Sequence, residues 1–74
     1  MTDQIAKELD IVALLRDLPG EGLTRGQVGT VVDAEDGNTF ILVEFTDGDG
    51  RTVAWPHIKR EDLLVLKYDK AAAE

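Results

Sequence analysis

The chain has 74 residues, with 15 acids against eight bases and a formal net charge of −7 at neutral pH. A chain of this size is one domain with a small core, because it buries only about 60% of the surface that its unfolded form exposes. It contains no cysteine and no serine, which excludes disulfides, thiolate ligands and the usual hydroxyl or thiol nucleophiles. The charge opposes affinity for phosphate backbones, since such affinity comes mostly from neutralising phosphates.

Residues 1–8 are a polar lead. Ile5 and Leu9 have the spacing of a short helical turn, with Thr2 or Asp3 as its cap. The lead has no apolar segment of the secretory kind. The longest apolar runs, such as 11–15, fall far short of the roughly 18 residues a membrane span requires. These features lead us to expect a soluble cytoplasmic protein that makes no use of a membrane.

A barrel is expected over 9–68. Residues 9–15, Leu-Asp-Ile-Val-Ala-Leu-Leu, have the length and β-branching of a strand, although a run this short leaves a helix open. Val12 and Leu14 share one face. A long loop follows. Pro19-Gly20 is a turn dipeptide and Gly22 adds a second position suited to positive φ. Leu18 and Leu23 are the large apolar side chains of this loop, and we expect it to fold back and dock them on the core.

Arg25-Gly26-Gln27-Val28-Gly29-Thr30-Val31-Val32 carries two glycines three apart into a β-branched run. This suits a tight entry into a curved second strand, with Val31 inward. Asp36-Gly37 then marks a hairpin. The third strand is 39–46, with Ile41, Val43 and Phe45 on its inward face and Leu42 and Glu44 opposite. Asp47-Gly48-Asp49-Gly50 is the next turn. The fourth strand, 51–55, stops at Pro56, which cannot donate to a ladder. A single helical turn over 58–63 follows, with Ile58 and Leu63 dipping inward, and then a last strand over 64–68. Residues 69–74 form a tail too short to hold a helix alone. The expected fold is all-β, a small five-stranded SH3-like barrel with one short helical turn before the last strand.

At this point the residues resemble a known family. Residues 9–15, Asp17-Leu18-Pro19, Glu21-Gly22-Leu23, 26–32, Val43-Glu44-Phe45 and Glu61-Asp62-Leu63 are similar in order and spacing to the small bacterial SH3-like family labelled domain of unknown function 4926. The likeness covers about Leu9 to Leu66. It implies a stand-alone SH3-like domain and brings no catalytic or binding residue. Gly26-x-x-Gly29-x-Val31 also resembles the KOW motif of ribosomal and transcription-factor barrels, which bind RNA or polymerase, typically through basic loops. Here the acids Asp33, Glu35 and Asp36 follow the motif instead.

Few residues are candidates for chemistry. His57 is the one histidine, and with no serine or cysteine to activate, it reads as a polar residue in a corner. Asp47 to Gly50 faintly resembles a calcium loop. The twelfth position from Asp47 is Ile58, which cannot ligate, so the hairpin reading stands. Glu44 faces outward by alternation and reads as a solvated or cross-strand-paired acid. No metal, cofactor or catalytic residue is expected.

Trp55-Pro56-His57 is the main surface candidate, because Trp is enriched at binding hot spots. The competing reading makes Trp55 a cap over one barrel end, against Leu18 or Leu23. Arg16, Leu18 and Arg25 in the long loop join the binding candidates. Gly22, Gly26, Gly29, Val31, Val43, Phe45 and Leu63 are expected to be structural. The expected function is a non-catalytic protein-interaction or accessory module of the antitoxin-like, immunity-like or enzyme-regulating kind. The alternative is a KOW-like nucleic-acid or ribosome-associated domain. The partner is expected to be another protein. The default state is a monomer, with a homodimer open through an edge near 64–68.

Overall fold

The computed structural model describes residues 6–35, 37 and 39–66. The tail over 69–74 and most of the 1–8 lead lie outside these, as do the last two residues of the expected final strand. Six strands run in chain order: β1 Ile11–Leu14, β2 Val28–Asp33, β3 Phe40–Thr46, β4 Thr52–Ala54, β5 His57–Lys59 and β6 Leu63–Val65. Two 3-10 turns, Pro19–Glu21 and Arg60–Asp62, are the helical elements among the described residues. The domain is therefore all-β.

Every strand pairing is antiparallel. The order across the sheet is β4-β3-β2-β1-β6, with β5 also on β3. This is the order expected of an SH3-like fold: a long loop after β1, a meander through β2, β3 and the edge strand, a 3-10 turn, and β6 returning beside β1. The sheet does not close on itself, because β6 at one side and β4 with β5 at the other remain edges. The barrel is a loose one.

The expected count of five strands becomes six for a local reason. β4 pairs with the end of β3 (Phe45 opposite Ala54) and β5 with its beginning (Leu42 opposite His57, Ile41 opposite Ile58, Phe40 opposite Lys59). The Phe45–Ala54 pair and the β5 pairs share one register along β3, which shifts by a residue only at Thr46 opposite Thr52, so β4 and β5 are two halves of a single edge strand. The break falls at Trp55-Pro56. Pro56 has no N–H to give, yet its carbonyl still accepts from the Val43 N–H at 3.1 Å. The helical turn expected over 58–63 contracts to Arg60–Asp62, because Ile58 is held in the ladder opposite Ile41.

The core follows from period-two alternation. Val12 and Leu14 from β1, Val31 from β2, and Ile41, Val43 and Phe45 from β3 are buried almost completely. Ile58, Leu63 and Leu23 join them, Leu18 packs at the margin, and Ala6 covers one side. Arg60 helps to hold that side: its Nη1 donates to the Ala6 carbonyl at 3.1 Å and its Nη2 to the Glu35 carbonyl at 2.8 Å. The chain from Lys7 to Asp10 forms a tight turn, with the Lys7 N–H bonded to Asp10 Oδ2 at 2.9 Å.

Two glycines shape the entry into β2. Gly29 is buried at the centre of the β2–β3 crossing, where a Cβ would stand 2.8 Å from the Glu44 carbonyl and 2.9 Å from the Phe45 ring. Its absent side chain lets the two strands close over Phe45. Gly26 has φ 93° at the end of the long loop, a conformation that L side chains rarely adopt.

The long loop is built rather than slack. Leu18 and Leu23 bridge across it, with the Leu23 N–H on the Leu18 carbonyl at 3.1 Å and the reverse bond at 2.9 Å. Asp17 Oδ1 accepts from the Arg25 N–H at 2.8 Å, and Gln27 Oε1 from the Thr24 N–H at 2.7 Å. Such side-chain acceptors substitute for the missing ladder partners of a turn.

Candidate functional site

The residues left over by the core form the other face of the same strands. In β3 the inward residues alternate with Phe40, Leu42, Glu44 and Thr46. Register then assigns their neighbours. Thr30 of β2 lies opposite Glu44, and Ile11 of β1 lies opposite Thr30. Counting inward from the pairs Phe45 with Ala54 and Leu42 with His57, Trp55 stands opposite Glu44. One row across the outer face therefore reads Ile11, Thr30, Glu44, Trp55. A parallel row holds Leu64, Ala13 and Val28.

Much of this face is apolar and uncovered. Trp55 is 62% exposed, and Val53, Val28, Leu64 and Phe40 are each about half exposed. The Glu44 carboxylate is half-buried beside them and accepts a hydrogen bond from the Thr52 hydroxyl. The outward acid is thus cross-strand paired, and one of its oxygens is held by an immediate neighbour of Val53.

The sequence candidates separate into two groups. Trp55 and His57 point outward from the edge strand, while Pro56 between them is buried. Alternation turns every second residue inward, so the proline ring faces the core and offers no surface to a partner. Trp55 does not cap a barrel end; its exposure sets aside packing on Leu18 or Leu23, which face inward from the loop. Arg16, Leu18 and Arg25 belong to the loop that joins β1 and β2, two strands away from the edge strand in the sheet order. Arg16 is exposed and pairs with Asp62 at 3.6 Å. Arg25 is exposed, and its backbone is tied to Asp17.

Among the expected structural residues, Val31, Val43 and Phe45 are fully buried and Leu63 nearly so. Gly22 has φ 73° at the close of the first 3-10 turn. The turn acids Asp47 and Asp49 make a self-contained hairpin: Asp47 Oδ1 accepts from the N–H groups of Asp49 at 2.8 Å and Arg51 at 3.0 Å. Among the described residues there is no cluster of three or more histidine or carboxylate groups able to hold a metal ion. No helix among them is long and apolar enough to cross a membrane.

Sequence reasoning passed over Glu44 as a neighbour of Trp55, and it passed over Val53 and Phe40 as exposed apolar groups. Alternation in β3 does show that Glu44 faces out. The slip between strands that sets Trp55 opposite it is not encoded in a period-two pattern.

An all-β domain of this strand order, with an uncovered aromatic on its sheet face, is a small SH3-like module. The chain belongs to the family described as Domain of unknown function (DUF4926), whose model matches residues 8–65. No curated protein and no solved structure matches it.

Proposed function

We propose that this domain is a non-catalytic interaction module in the cytoplasm, which seats a protein partner against the outer sheet face around Trp55. One observation carries the reading: a tryptophan 62% exposed on the outer face of the edge strand, flanked by the exposed Val53 and the half-buried Leu42 and Glu44. Exposed large aromatics within an apolar surround are the usual anchors of protein interfaces. The absence of serine and cysteine and the solitary His57 support a binding role over catalysis. The roles that suit a small acidic domain of this kind are those of an antitoxin-like, immunity-like or enzyme-regulating partner.

The Gly26–Val32 stretch supports no separate nucleic-acid role. Gly29 serves strand packing on Phe45, and the segment after it carries exposed Asp33 and Glu35. The test is paired affinity capture with the intact chain and with Trp55→Ala, read by mass spectrometry, with circular dichroism to show that both are folded. A protein retained by the first and lost by the second supports the reading. Identical retention by both counts against it. Micromolar, salt-sensitive binding to RNA or DNA in a parallel titration transfers the function to nucleic acid.

A further inference from the structure

Trp55 and Glu44 lie at directly opposed positions on the outer face, where paired side chains have Cβ atoms about 4.5–5.5 Å apart. Trp55 is largely exposed, and Glu44 is half-buried with one carboxylate oxygen accepting from the Thr52 hydroxyl. An indole face attracts a cation through its quadrupole. A carboxylate fixed by a neighbour offers its other oxygen at little further ordering cost. Both groups ask for the same ligand chemistry, a positive charge joined to a flat, weakly hydrated surface. Arginine supplies it: its guanidinium stacks on an aromatic ring while its N–H groups reach a carboxylate, which a compact ammonium does less well.

The overall charge agrees in sign, and a cation on this face, the exposed Lys59 opposite Phe40, stands two rows beyond Glu44. The net charge is −7, and Asp33 lies opposite Leu42 in the next row of the same face. A domain with this field draws cationic segments toward it and repels acidic ones. We propose that Trp55 and Glu44 form an arginine-binding notch, and that the protein partner inserts an arginine side chain from a basic segment between the indole and the carboxylate. The inference rests on the interaction reading above and specifies the partner's chemistry.

The test is a heteronuclear NMR titration of the intact chain with acetyl-Gly-Arg-Gly-amide. The citrulline analogue, which is neutral and of the same shape, and the lysine analogue serve as controls. The expected result is a saturable shift of the Trp55 indole N–H and of the Glu44 and Thr52 amides. The shift is absent with citrulline and several-fold weaker in affinity with lysine. Glu44→Gln keeps an acceptor for Thr52 but removes the charge, and should weaken binding about five- to tenfold. Trp55→Phe should weaken it about threefold, and Trp55→Ala should abolish it.

A titration that does not saturate, equal shifts with citrulline, or shifts centred on the Asp47–Asp49 turn would overturn the proposal. So would concentration-dependent shifts at Trp55 without peptide, since these would mean that a second copy of the chain takes the site. The two readings fail separately. A partner lost in Trp55→Ala capture while the arginine peptide leaves Trp55 unmoved removes the notch and keeps the interaction module. A notch that binds arginine while no protein depends on Trp55 does the reverse.

Discussion

The two faces of β3 are made from alternating residues of one seven-residue strand, and they have opposite fates. Ile41, Val43 and Phe45 are sealed against Val12, Leu14, Val31 and Ile58, and among the described residues no polar side chain is buried with them. Phe40, Leu42 and Glu44 face out beside Val53 and Trp55, and several of these stay exposed. The inner face satisfies itself. The outer face keeps apolar area in water, at a cost to solubility. A small acidic domain that leaves a tryptophan in this position has put it where another molecule can reach it. Stability belongs to one side of this backbone and, in the reading proposed above, recognition to the other, and substitutions can test that division.

The largest effect belongs inside. Phe45→Ala should destabilise the domain by about 3–5 kcal/mol, a large share of the total stability of a chain this size. Urea denaturation followed by circular dichroism reads the loss. If Phe45→Ala unfolds at the same denaturant concentration as the parent, the inner face is not the core. Next comes the strand crossing. Gly29→Ala places a Cβ against the Glu44 carbonyl and the Phe45 ring and should cost about 1–3 kcal/mol. Gly29→Val should cost more, and neither should change binding in the protein that remains folded. A separate binding defect in folded Gly29→Ala would return the Gly26–Val32 stretch to the list of functional motifs.

A smaller effect is expected at the hairpin. Asp47→Ala removes one acceptor shared by two N–H groups in an exposed turn, for about 0.5–1.5 kcal/mol in thermal or chemical melts. Metal titration of the parent should leave its melting temperature unchanged, as the turn is closed by its own backbone. The smallest stability effect lies outside. Trp55→Ala should shift stability by no more than about 0.5 kcal/mol while removing partner retention. A Trp55→Ala variant that unfolds would collapse the division between the faces and return Trp55 to a structural role.

Some of this was readable from the residues alone. The apolar alternation in β3 identified its buried face, since side-chain direction in a strand follows sequence parity, whereas in β1 both faces read as apolar and the structure chose Val12 and Leu14. The paired leucines of the long loop announced that it folds back, because two large apolar groups do not stay in water within a turn-rich stretch. Asp47-Gly48-Asp49-Gly50 was legible as a hairpin because its composition satisfies a turn and its spacing does not satisfy calcium. The reading failed at Trp55-Pro56-His57. A contiguous tripeptide looked like one surface, yet a strand sends its middle residue to the other side. The placement of Pro56 at a strand end on the sheet edge held, since β4 stops at Ala54 and β5 starts at His57, but that β5 resumes on β3 beyond it was not foreseen.

By itself the sequence determined the all-β class, the inward residues of β2 and β3 and the glycine positions at the loop exit and strand crossing, because each depends on local periodicity or on backbone conformation. Only the tertiary structure decided that β4 and β5 make one broken edge strand and that the sheet stays open. It alone placed Trp55 opposite Glu44 on an uncovered face. Those outcomes depend on the register between strands far apart in the chain, and register is set by the whole packed core acting at once rather than by any stretch of residues.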